Sequence, residues 1–346
     1  MARISNIGHR KFILLVSALL LITSVIACSV GSVKIPFSDV IHILLSRIPV
    51  LEDYSKDVSG TYEIIVILIR IPRILLGILA GFGLAVAGTS MQGVFKNPMA
   101  SPFILGASAG ASLGAALGIY FGVGIFALPF FAFAFAMGAA MLVFLIGRAG
   151  GRTEITTLLL AGLAINFLMG ALYGAVWYLS PTWKRIGITR WIWGSLNGTI
   201  WDEIYIVLPI VIFASAALYA YSRDLNVIQL GEESAIHLGI EVESVKLIQL
   251  GLASFLTAAV ISFTGVIGFV GLIIPHAARL IVGPDHKKLF PASALLGGLF
   301  LLVCDTISRL SGVLPRGEMP VGIITGLIGV PFFLYLLVKK RGDTGW

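Results

Sequence analysis

Charge is what this sequence most lacks. Asp, Glu, Lys and Arg make up 12% of its 346 residues, about half the roughly 25% found in soluble domains. The main polar excursions are the segments 34–63 and 223–245, so no soluble catalytic domain fits. A GxxxxGK[ST] phosphate loop is missing, which excludes the usual mode of ATP binding by this chain. Neither an HExxH motif, nor paired catalytic carboxylates, nor Cys/His metal spacing occurs, and no residue is assigned a catalytic or metal-binding role. The only cysteines, Cys28 and Cys304, lie in or beside apolar runs, which argues against a disulfide framework. Only Asp305 is read as sitting inside a span, with His276 at an edge, fewer titratable groups than a proton-driven transporter usually carries.

What remains is apolar: 58% of residues are hydrophobic and the mean hydropathy is +1.00. At about 20 apolar residues per spanning helix, ten segments qualify, near 11–31, 64–88, 102–120, 125–147, 155–179, 203–222, 246–266, 268–283, 289–310 and 320–338. The expected fold class is an all-α polytopic membrane protein of about ten transmembrane helices, a single transmembrane domain over 1–346. Forty glycines suit close helix packing in lipid. The net charge of +7 reads as topology and lipid contact rather than nucleic-acid binding. Arg3, Arg10 and Lys11 precede the apolar run Phe12–Ala27, and the Val25–Cys28 box resembles a lipoprotein cleavage site. With nine further apolar segments, a retained first helix is expected instead, with both termini cytoplasmic; Lys339, Lys340 and Arg341 close the last span inside.

The polar interruptions are the informative places. Arg223–Val245 interleaves Leu225, Ile228, Leu230, Ile236 and Leu238 with Asp224, Gln229, Glu232, Glu233 and Glu241. Gly231 and Gly239 predict two short helices around a glycine turn. Such a segment can offer a soluble partner an amphipathic knob, or be a plain solvated loop. Arg70 and Arg73 stand one turn apart near the outer end of the second span; they either reach the interface or form a basic docking point. Thr89–Pro102 breaks the hydrophobicity with Gln92, Asn97, Pro98 and Pro102, a place for a gate or for a simple inner turn. Residues 180–202, with Trp183, Lys184, Arg185, Arg190, Trp191, Trp193 and Trp201, fit an outer interfacial helix. Asp305 and Arg309 are spaced as an i,i+4 pair or as a pathway charge. Alone, these features also allow an ion-coupled secondary transporter or a channel.

RIPRILLG, AGTSMQGVFKNPMASPFILGASAGA, LNVIQLGEESAIHLGI, GFVGLIIPHAARL and EMPVGIITGLIGVPFFLYLL occur in that order. Together they resemble the FecCD family, permease subunits of type II ABC importers for cobalamin, haem and ferric siderophores, over residues from about 10 to 341. The resemblance implies the type II importer permease fold and an inner-membrane location. It implies a second permease chain (a homodimer), two ATP-binding cassette subunits carrying ATP and Mg, and an extracytoplasmic substrate-binding protein. No cofactor is implied for this chain itself. Asp224, Leu225, Gln229, Leu230, Gly231, Glu232, Glu233, Ala235, Leu238 and Gly239 match the family's ATPase-coupling helices. Arg70, Arg73 and Arg309 match outer arginines that dock the binding protein. Asn97, Met99, Thr156 and Thr157 match regions of the cytoplasmic gates. Some relatives carry molybdate or tungstate, so the resemblance leaves the cargo open.

Overall fold

The computed structural model describes residues 8–47, 58–148, 153–310 and 317–343. Glu52, Asp53, Lys56, Asp57, Arg152 and Arg316, and with them part of the outer segment 34–63, lie outside the described residues. Among the described residues every regular element is helical.

Helix α1 (His9–Ser29) is followed by the short α2 (Phe37–Leu45). The second span is continuous over Gly60–Val94: α3 (Gly60–Ile64), a π-helical stretch (Ile65–Arg70) and α4 (Ile71–Val94). Pro72 explains the π turn. It offers no N–H and its ring crowds the carbonyl four residues back. The ladder therefore widens before it, with the Ile71 N–H reaching the Val66 carbonyl. Beyond lie α5 (Ala107–Phe121), α6 (Leu128–Gly147), α7 (Ile155–Leu179), α8 (Thr182–Ile192) and α9 (Trp201–Ala220). The inner segment forms α10 (Ser222–Gln229) and α11 (Glu232–His237); α12 (Val242–Thr264), α13 (Val270–Val282), α14 (His286–Leu310) and α15 (Val321–Asp343) complete the chain. All ten apolar segments are thus helical. Among the described residues, seven helical runs are long and apolar enough to cross a membrane, whereas Ala107–Phe121, Val270–Val282 and Val321–Tyr335 are shorter.

Helix α4 is the axis of the bundle, packed against α9, α12, α13 and α14 and buried along nearly its whole length. Two backbone crossings bring it that close. A Cβ on Gly81 would lie 2.1 Å from the Gly297 carbonyl oxygen, and one on Gly88 would lie 1.9 Å from that of Gly271. Without a hydrophobic effect between helices in lipid, such contact is what dispersion requires.

The two shortest buried spans share one construction. At 1.5 Å per residue, the 15 residues of α5 and 13 of α13 fall short of a bilayer core about 30 Å thick. Irregular backbone leads into both: a 3₁₀ turn (Pro102–Leu105) and Gly106 before α5, residues 265–269 before α13. Each helix begins on a left-handed residue, Gly106 at φ 83° and Phe269 at φ 69°. The Pro102 ring lies 2.8 Å from the position of a Cβ on Gly271, so the 3₁₀ turn before α5 packs against the start of α13.

Irregular carbonyls at depth need donors. Asn166 on α7 supplies one, its Nδ2 donating to the carbonyls of Gly162 (2.8 Å), Ile104 (3.3 Å) and Phe103 (3.4 Å). Asn166→Leu should lower stability by about 1–2 kcal/mol. A depressed thermal midpoint in detergent checks this; an unchanged midpoint would mean that other donors serve those carbonyls.

Candidate functional site

The inner knob folds as its sequence predicts. Its apolar positions divide between the two sides of two short helices. Leu225, Ile228 and Ala235 are buried, the last two in a small core with Val242 and Val245. Gly231, at φ 137° and ψ 140°, makes the turn between α10 and α11, and Gly239 at φ 80° ends the second helix. Leu225 and Ala235, expected at a partner surface, instead form the inner side of the knob. The outward side carries Leu230, Ile236 and Leu238, 79%, 61% and 69% exposed, together with exposed Glu233. Three large aliphatic side chains are thus exposed together beside polar residues, clear of the spans.

Side-chain bonds fix the knob to the bundle. Gln229 Nε2 donates to the Gly93 carbonyl at the end of α4 (2.6 Å). Asn226 Nδ2 donates to Asp285 Oδ1 (2.7 Å), while Asn226 Oδ1 accepts the His286 N–H (2.9 Å). Burial pushes the Asp285 carboxyl up. The bonds from Asn226 and the Lys287 N–H, with the Lys288 and Lys287 charges, outweigh this and hold it below the usual aspartate range. A cleft of about 500 Å³ opens here, lined by Asn97, Asn226, Gln229, Arg279 and Asp285 among others. Glu232 accepts from Lys246 Nζ at 2.8 Å, and Asp224 stands half-buried on α10.

Asn97 and Met99 lie in the inner turn after α4. Asn97 Oδ1 accepts the Met99 N–H (2.9 Å), an Asx turn that leaves Met99 41% exposed. Thr156 and Thr157 open α7; Thr156 is exposed and Thr157 Oγ1 donates to Glu154 Oε2 (2.7 Å). Both pairs stand at helix ends, after α4 and at the start of α7. Sequence reasoning misses Glu243 and Lys246, which connect the knob to the residue before Glu154. The available signal is a lysine at the edge of an apolar run, three residues after a glutamate.

The outer arginines differ from expectation. Arg70, Arg73 and Arg309 are 5%, 6% and 2% exposed, not presented outward. Arg73 Nε bonds Asp305 (2.9 and 3.2 Å) and its Nη1 bonds Glu318 (2.6 Å). Asp305 Oδ2 also pairs Arg309 Nε at 3.1 Å, the i,i+4 arrangement. Arg309 Nη1 donates to the Ala27 carbonyl (2.8 Å), and Arg70 donates to the carbonyls of Cys28 and Val33. Desolvated cations need this full set of partners. The cluster laces α1, α4 and α14 together at their outer ends, and Asp305 is its hub rather than a free pathway charge. The segment expected as an interfacial helix is helical over α8, with Trp183 70% exposed and the Lys184 ammonium 5.0 Å from its ring centroid.

This architecture has close relatives. The FecCD transport family matches residues 19–339. The cobalamin import system permease of Halobacterium salinarum is 47% identical over 285 residues, covering 82% of this chain and 76% of the relative. The hemin transport system permease of Yersinia pestis is 39% identical, over 79% and 83% of the two chains. A molybdate import system permease of Haemophilus influenzae is 32% identical over 97% and 98%. A solved structure described as an inward-facing conformation of a metal-chelate type ABC transporter superposes with a TM-score of 0.84 at 30% identity, covering 95% of this chain and 99% of that one. A bundle of membrane helices with a separate inner knob, matched along nearly its whole length, makes this chain a member of the FecCD transport family and an ABC importer permease.

Proposed function

We propose that this chain is the permease of an ATP-driven importer that moves a metal chelate (ferric siderophore, haem or cobalamin) across the cytoplasmic membrane. The carrying observation is the knob, whose Leu230, Ile236 and Leu238 stand exposed in a chain whose sequence carries no GxxxxGK[ST] phosphate loop. A separate ATP-binding cassette subunit covers that surface and hydrolyses ATP with Mg; this chain binds no cofactor and carries no catalytic residue. Two permease copies, two cassettes and an external binding protein make up the assembly. Closure of the cassettes pushes the knob, and the inner ends of α4 and α7, with Asn97, Met99, Thr156 and Thr157, form the gate. The arginine cluster acts in docking indirectly: Arg70, Arg73 and Arg309 set the shape of the outer rim on which the binding protein lands.

The likeness to the molybdate permease, over nearly the full length of both chains, favours one second reading, an oxyanion as cargo. The test is ATPase activity and uptake by the complex reconstituted with its binding protein, offered haem, a ferric siderophore, cobalamin and molybdate in turn. Hydrolysis and accumulation stimulated by one chelate are expected. Stimulation by molybdate alone selects the second reading, and uptake that follows an ion gradient without a cassette overturns both.

Leu230→Asp with Leu238→Asp tests the knob directly. Burying two charges in an apolar contact should weaken cassette co-purification about a hundredfold, while the permease itself remains monodisperse because both positions are solvent-facing. Undiminished co-purification would move the contact elsewhere.

A further inference from the structure

The structure assigns to Lys246 and Glu243 a tie that carries motion of the inner knob to the start of α7. This rests on the coupling reading of the knob. It adds residues on α12, beyond the two short helices, and a route between them and the gate.

The geometry is a chain of three contacts. Glu232, the first residue of α11, bonds Lys246 Nζ through Oε2 at 2.8 Å. Lys246 also reaches Glu243 Oε1 at 3.5 Å, one turn back on α12. The other oxygen of Glu243 accepts the backbone N–H of Thr153 at 2.8 Å. Thr153 immediately precedes Glu154, which stands at the N-terminal boundary position of α7. A single carboxylate thus holds the lead-in of the gate helix on one oxygen and the ammonium bound to the knob on the other.

Burial makes this linkage stiff. The Lys246 side chain is 4% exposed, while its carboxylate partners are 39% and 40% exposed. A lysine taken out of water needs its carboxylates to offset the lost hydration. Displacing Glu232 would leave that ammonium with Glu243 alone, so the knob and Lys246 move together. Thr153 is itself buried, and Glu243 is the acceptor that holds its N–H. Other contacts to the knob run elsewhere: Gln229 to the end of α4, Asn226 to the α13–α14 turn. Among these three, only the Glu232 route arrives at α7.

The experiment uses the full complex in lipid vesicles with its cassettes and binding protein. Lys246→Met keeps the length of the buried stem and removes the charge. It should assemble and hydrolyse ATP within about twofold of wild type, while uptake per ATP falls about tenfold, a coupling loss in the usual range between two sites. The exchange Glu232→Lys with Lys246→Glu should recover most of that ratio. Spin labels at Ser234→Cys and Thr156→Cys supply a second readout: their separation should stay constant on ATP binding in the wild-type background and change when Lys246→Met is added. Uptake per ATP that stays within about twofold in Lys246→Met, with an unaltered label distance, overturns the tie. Should that variant fail to assemble, Glu243→Gln decides, because it keeps an acceptor for the Thr153 N–H; wild-type uptake per ATP in Glu243→Gln would equally overturn it. A wild-type chain that recruits no cassette defeats the coupling reading itself, a separate outcome.

Discussion

Asp305→Ala is expected to destabilise the folded chain by about 3–5 kcal/mol, since breaking a buried ion pair from one side leaves an uncompensated charge. Asp305 is 1% exposed and is shared by Arg73 and Arg309. Arg73 would keep Glu318, but Arg309 would be left with carbonyl oxygens and the Thr306 hydroxyl. The predicted readout is loss of the monodisperse peak on size exclusion in detergent. Added salt should not mimic the effect, because ions do not reach a pair this deep. The matched control is Asp305→Leu with Arg309→Met. Replacing both charges by apolar groups is often neutral, so the double variant should recover most of the lost protein. If the single variant kept its wild-type midpoint, the arginines would have water or another acid, and the cluster would not be the latch of the outer face.

Gly88→Ala is expected to be nearly as damaging, at about 3 kcal/mol or at the upper end of what overpacking usually costs. Its methyl would sit 1.9 Å from the Gly271 oxygen and 2.8 Å from the Gly271 Cα. Those are backbone atoms, and no rotamer change relieves them. Gly138→Ala on α6 is the control, because a Cβ there meets nothing within 4 Å. It should be neutral or gain up to about 1 kcal/mol of helix propensity. Equal thermal midpoints for the two variants would show that α4 and α13 can part without loss.

The helices and the knob are legible in the sequence for the same reason: hydrocarbon tolerates so little charge that polar residues mark the ends of spans. The 223–245 segment stands out because Glu232, Glu233 and Glu241 cannot lie in lipid. Which side of the knob faces water is harder to read, since Leu225 and Leu230 are the same residue type yet are buried and bare respectively. The outer arginines can be recognised as costly, but not as enclosed. Arg73 meets Asp305 across 232 positions of chain, and no local pattern reports such a pairing. The tie through Glu243 is hidden for a related reason: its acceptor contact is to a backbone N–H at Thr153, which any residue but proline would provide.

The paired short helices have a consequence for how the chain enters the bilayer. Helix α13 has 13 residues and α5 has 15. Before α5 stand carbonyls whose donor belongs to another part of the fold, since Asn166 serves Phe103 and Ile104. An insertion machinery that releases helices singly into lipid would strand those groups. Helix α5 would have to leave it as a hairpin with α6, holding unfinished backbone in a protein-lined space until its donor arrives. Synthesis of α7, which carries Asn166, then becomes the step that lets the first hairpin settle in the membrane.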